Sequence, residues 1–171
     1  MDCYERNNKF YDWLSFFDMD EFLELNKKYN SIHDFLKDKI FKRCQNIKIN
    51  WVIYLNYNKL TFENKPILER MQNSGCNGSE NSHIKSTVKG NLYINYWINV
   101  TNPHSSILKV TSCSSSGKII KYDSPFNNPP DITNARLNHY YYKSFEEYCL
   151  KLKRGNADLQ RNSNIELVNE R

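Results

Sequence analysis

The sequence predicts an α/β fold, a mixed sheet with flanking helices, and three observations lead there. Strand-length apolar runs precede capped helices in the first half, whereas several short β candidates follow one another after residue 83. A chain of 171 residues is long enough for one domain with a real core. Apolar residues make up 39% and aromatic residues 14%, enough to fill that core.

Tyr11–Phe17 reads as the first strand, and it stops abruptly at Asp18, Met19, Asp20 and Glu21. Ser31 and Asp34 form a capping pattern. Behind them Ile32, Phe35, Leu36, Ile40 and Phe41 recur at helical spacing. Ile47–Leu55 is a second strand that puts Trp51 in the core. Pro66 occupies the first helical position before Ile67–Met71. Asn73–Ser82 is a polar loop rich in Gly, Ser and Asn. Ile84–Val88, Leu92–Ile98 and Ile107–Thr111 are β candidates, the last pairing with Lys118–Tyr122 across a Ser-rich turn ending at Gly117. Arg136–Tyr142 is a short strand leading into a helix at Ser144–Arg154. There Ser144 and Glu147 make a capping box, Phe145, Tyr148, Cys149 and Leu152 a buried stripe, and Gly155 the stop. Residues 1–158 form the domain and 159–171 a polar, frayed tail.

A net charge of +5 admits anionic ligands. The basic residues are interleaved with acids rather than gathered in a stripe, which argues against a nucleic-acid partner. Cys3, Cys44, Cys76, Cys113 and Cys149 are far apart and form no CxxC, so reduced thiols in a cytosol-facing, cytoplasmic protein are expected. No run approaches the roughly 18 apolar residues of a membrane span, and no signal peptide is recognisable.

The acidic triplet carries the chemistry. Side chains two apart on a strand point the same way, so Asp18 and Asp20 would project together. Two carboxylates held close favour protonation of one of them unless a cation neutralises the pair. A hard divalent ion bound by one or two carboxylates plus substrate phosphates meets that need. The same residues also suit capping, Asp18 of a turn and Asp20 of the next helix.

The stretch "DWLSFFDMDEFLEL", the strand bearing Asn50-Trp51, "LERM", "IKSTV", "NPH" and above all "LNHYYYKSFEEYCLKLKRG" at 137–155 together resemble one group of enzymes. This is the group of GT-A-type glycosyltransferases allied to glycosyltransferase family 92 and to family-2-like enzymes. The resemblance covers residues 2–158, nearly the whole chain. It implies a metal-dependent transferase, or its C-terminal half, that moves a sugar from a nucleotide-sugar donor to a glycan or other hydroxyl acceptor with inversion.

By the same resemblance Asp18 and Asp20 are the DxD pair and His139 a third ligand of Mn²⁺ or Mg²⁺, with Asp20 also counted in the catalytic set. The imidazole favours manganese. Lys143 and Arg154 would contact the donor diphosphate, although a cation in the last helical turn also explains Arg154. Glu69 is the expected base, with Glu147 an alternative that its capping role already explains. His104 is placed on the acceptor side, and Tyr96 and Trp97 are either a sugar-stacking face or core. The family's nucleotide-binding βαβ units lie upstream of the DxD strand, before which only ten residues stand here. The expectation is therefore a truncated GT-A-like sheet lacking most of those units, with a separate N-terminal half as a partner. The alternative is a non-catalytic carbohydrate- or partner-binding remnant.

Overall fold

The computed structural model describes residues 2–55, 59–71, 78–92, 104, 110–121 and 124–155. The chain forms two compact units, Met1–Ile53 with Cys76–His139, and Tyr54–Gly75 with Tyr140–Arg171.

The first unit is built on a mixed α/β sheet of seven described strands. These are β1 (Trp13–Ser15), β2 (Glu21–Leu25), β3 (Asn46–Ile53), β4 (Ile84–Lys89), β5 (Ser112–Ser114), β6 (Ile119–Ile120) and β7 (Ala135–His139). Strand β3 is central. One edge pairs antiparallel with β4, which β1 extends. The other edge takes two parallel partners in succession, β5 beside Asn46–Lys48 and β7 beside Trp51–Ile53. Antiparallel β6 and β2 then add outside β5 and β7. Helix α1 (Asp2–Asn7) is tied down by the Tyr4 hydroxyl, which donates to the Lys89 carbonyl at 2.7 Å.

Successive residues of a strand face opposite sides, and β3 uses both. Ile47 and Ile49 enter a core with Phe35, Phe41, Ala135 and Leu137, and Trp51 packs against it. On the opposite face Asn46, Lys48 and Asn50 are fully buried as well. A strand covered on both sides is ordinarily apolar throughout. Here hydrogen bonds engage the polar stripe: Asn46 Nδ2 donates to Ser112 Oγ at 3.2 Å and Lys48 Nζ to the Ser124 carbonyl at 2.9 Å, while Asn46 Oδ1 has no hydrogen-bond partner among the described residues.

The expected helix over 32–41 breaks. Helix α2 (Ile32–Leu36) is capped by Ser31 as expected, but the Asp38 side chain accepts from the Ile40 N–H and starts a separate 3-10 turn, Lys39–Phe41. A short acidic side chain bonding its own backbone competes with helix continuation. Phe35 and Phe41 are buried as a result, whereas Ile32 and Ile40 are exposed.

The reduced state expected for the cysteines is also corrected. Cys44 and Cys113 form a disulfide with Cα atoms 5.8 Å apart. The parallel register Ile47↔Cys113 brings the start of β5 beside the entry to β3, and the sequence separation of 69 residues hid that proximity. Cys3 and Cys149 are free thiols, and Cys76 lies outside the described residues. The β5–β6 hairpin turns at Gly117 with φ +82°, as the expected Ser-rich turn requires. Of the strand expected over Ile107–Thr111, residues 107–109 lie outside the described residues, and Val110 and Thr111 precede the first strand of the hairpin, which begins at Ser112.

In the second unit α3 (Ile67–Arg70) and α4 (Phe145–Arg154) are present, with Pro66 as N-cap rather than first helical residue. The Ser144–Glu147 capping box is complete, and Gly155 ends α4 at φ +78°. The buried stripe expected on α4 is not found: Phe145 and Leu152 are more than half exposed. Tyr54, Met71, Tyr140 and Ser144 are the buried residues among those described in this unit, and none of the expected stripe is among them. The strand expected over Arg136–Tyr142 ends at His139. Residues 93–98, with Tyr96 and Trp97, and the expected tail 159–171 lie outside the described residues. Among the described residues no helix is long and apolar enough to cross a membrane.

Candidate active site

The acidic triplet lies in the turn between β1 and β2, not along one strand as expected. The Glu21 N–H donates to the Asp18 carbonyl at 3.0 Å, and the Asp18 N–H donates to Glu21 Oε2 at 2.8 Å. A turn breaks the two-residue alternation of a strand, so the two aspartates find different partners. Lys85 Nζ donates to Asp18 Oδ2 at 2.9 Å, and His139 Nε2 lies 3.6 Å from Asp20 Oδ1.

Register assembles the rest. Ile49 pairs with Lys85, Trp51 with Leu137, and Glu21 with His139. With a period of two, Glu21, Trp51, Lys85 and His139 therefore project from four strands onto one face. The edges of His139 and His104 meet the indole of Trp51 at centroid distances of 4.3 and 5.1 Å, and His83 stacks on it at 4.8 Å.

Lys85 is buried and sits between two carboxylates, with Glu21 Oε2 at 3.7 Å. Burial pushes the Glu21 carboxyl up to about 7, while the Asp18 N–H and the Lys85 ammonium pull it down. Glu21 Oε1 is buried without a hydrogen-bond partner among the described residues. Near neutral pH this carboxyl can take up or release a proton. Burial lowers the pKa of His104, and the Lys85 ammonium and His83 lower it further, so the ring is neutral. Its Nδ1 lies 2.9 Å from the Ile84 carbonyl, which puts the proton on Nδ1.

Among the described residues no three His, Cys, Asp or Glu side chains converge as a metal set. Asp20 and His139 do supply an oxygen and a nitrogen donor at chelating separation, the chemistry of a divalent transition ion whose other positions go to water or phosphate oxygens. Those two residues fit such an ion; Asp18 Oδ2 is engaged by Lys85.

The remaining expected residues belong to the second unit. Glu69 is exposed in the first turn of α3, and Arg154 is exposed in the last turn of α4. Lys143 holds φ +52°, unusual for a side-chain-bearing residue, immediately before the N-cap of α4. Glu147 is bound at both oxygens by Arg70, at 2.5 and 2.8 Å, which leaves it a structural part of this unit.

Sequence reasoning missed Lys85 and His83, and it assigned Trp51 to the core alone. The available signal was a lysine amid an otherwise inward-facing β pattern, in "IKSTV".

No curated protein sequence matches the chain. The model of glycosyltransferase family 92 matches residues 1–164, and the chain belongs to that family.

Proposed function

We propose that this family 92 glycosyltransferase moves a sugar from a nucleotide-sugar donor to a glycan hydroxyl, with inversion and with the help of Mn²⁺ or Mg²⁺. The observation that carries the reading is the approach of Asp20 and His139 to 3.6 Å beside the turn held by Lys85. Asp20 Oδ1 and His139 Nε2 would hold the ion, which when bound supplies Lewis acidity toward the leaving diphosphate. Lys85 neutralises Asp18 and keeps the turn in shape. Trp51 and neutral His104 offer a flat and a polar edge on the acceptor side. The Cys44–Cys113 bond favours an oxidising compartment over the cytosol.

Manganese binding followed by electron paramagnetic resonance tests the reading, with and without UDP and GDP and in parallel with donor hydrolysis. Asp20→Ala and His139→Ala should each weaken Mn²⁺ binding at least tenfold, which corresponds to about 1.4 kcal/mol. Unchanged binding in both variants would overturn the assignment. Engagement of Asp18 by an internal ammonium favours a second reading, a carbohydrate- or partner-binding module without catalysis. No donor turnover by the unaltered chain with Mn²⁺, together with glycan binding that survives EDTA, would select it.

A further inference from the structure

Ser114 lies in register with Lys48, so it shares the face of the sheet that carries Asn50, opposite Trp51. On that side a concavity of about 410 Å³ opens between the β5–β6 hairpin and the loop Asn127–Asp131. Its size is that of a small-ligand site.

Both walls are fixed from beneath. The buried Asn50 amide donates to the Asn127 carbonyl at 3.0 Å, and its oxygen accepts from the Asp131 N–H at 3.0 Å and from Asn127 Nδ2 at 2.8 Å. Asp131 in turn accepts from the hydroxyls of Ser114 and Ser116 on the hairpin. A cavity held this way is organised before any ligand arrives.

The chemistry of the lining selects the occupant. Burial alone would push the Asp131 carboxyl up, but hydrogen bonds from Ser114, Ser116 and Thr133 outweigh it and hold the group well below the usual carboxylate range. A phosphate or carboxylate ligand would therefore face a permanent anion, balanced by Lys118 alone among the described lining residues. A wholly apolar ligand would strip water from hydroxyl and amide groups without replacing their hydrogen bonds. Ile119, Ile120, Pro129 and Pro130 add apolar surface to the same lining. A lining that combines apolar and hydrogen-bonding groups matches a pyranose, which presents C–H faces and hydroxyl edges.

We propose that this concavity binds a neutral saccharide unit, at a site on the opposite face of the sheet from Asp20 and His139. The proposal stands whether or not the Asp20–His139 pair binds a metal.

The test is an amide-resonance titration of the full chain with the methyl glycosides of glucose, galactose and N-acetylglucosamine. Myo-inositol and inorganic phosphate serve as comparison probes. At least one glycoside should shift the signals of Lys118, Ile119 and Asn128 saturably, with a millimolar dissociation constant. Lys118→Ala and Asn128→Ala, both at exposed positions, should weaken that binding at least about fivefold without altering the melting temperature. Asp20→Ala should leave it unchanged. Absence of saturation with every glycoside, saturation by phosphate instead, or equal affinity in both pocket variants would each overturn the proposal.

Discussion

Replacing Glu147 with glutamine removes one charge from the second unit and keeps the side chain's shape. Arg70 grips the carboxylate with two guanidinium nitrogens, and Ser144 adds its backbone N–H at 3.1 Å and its hydroxyl at 2.8 Å. The Arg70 guanidinium first, and then Ser144, hold the carboxyl down to about 2 against burial, compared with 4.5 for an ordinary glutamate. That lowering corresponds to about 3 kcal/mol in favour of the folded unit. The pKa is depressed on folding, so the contribution is complete above pH 4.5 and disappears as pH falls through 2. In Glu147→Gln the Arg70 side chain, only 8% exposed, keeps its charge and loses its counter-charge. Hydrogen exchange at the α4 amides reads the loss locally. At pH 7 exchange should accelerate about a hundredfold, with parent and variant converging near pH 2. A change under about threefold at pH 7, or a difference that persists in acid, would refute the assignment of stability to this ion pair.

Lys85→Met should lower stability to urea by about 3 kcal/mol, because it strands Glu21 in the interior. Adding Glu21→Gln should restore part of that loss, and strictly additive effects would argue against the pairing. In Gly90→Ala the new Cβ would sit 1.8 Å from the Tyr11 carbonyl oxygen, so β1 must move from β4. A variant with the parental melting temperature would contradict that close approach. Converting Cys44 and Cys113 to Ala opens a covalent loop spanning 69 residues and should cost about 4 kcal/mol. An unchanged denaturation midpoint would exclude the bond.

Local chemistry made several elements legible in the sequence. The Ser144–Glu147 box, the Gly155 stop, the Gly117 turn and the Ser31 cap each depend on residues within three or four positions of one another, and each is present. Asp20 and His139, grouped as metal ligands by the family resemblance, lie 3.6 Å apart, a proximity that their spacing in the sequence does not predict. Features that depend on pairing between distant strands were not legible. Lys85 reaches Asp18 across 67 positions, and Cys44 meets Cys113 only because β5 lies parallel to β3. Strand alternation puts Asp18 and Asp20 on one side, whereas the turn-closing bond from the Glu21 N–H to the Asp18 carbonyl gives their side chains different partners. Asn46, Lys48 and Asn50 look like a solvated strand face by composition. Lys48 and Asn50 are bonded by the chain segment at 124–134, and Asn46 by Ser112, pairings that only the fold brings about.

The alternation of β3 also protects the fold against mispairing. Sliding this strand by one residue against β4 would thrust the Lys48 ammonium among Phe35, Phe41 and Leu137. The same slip would leave the carbonyl of Ser124 and the amide of Asp131 without their bonds. An all-aliphatic centre would tolerate several alignments of nearly equal energy; three polar side chains set between isoleucines admit one.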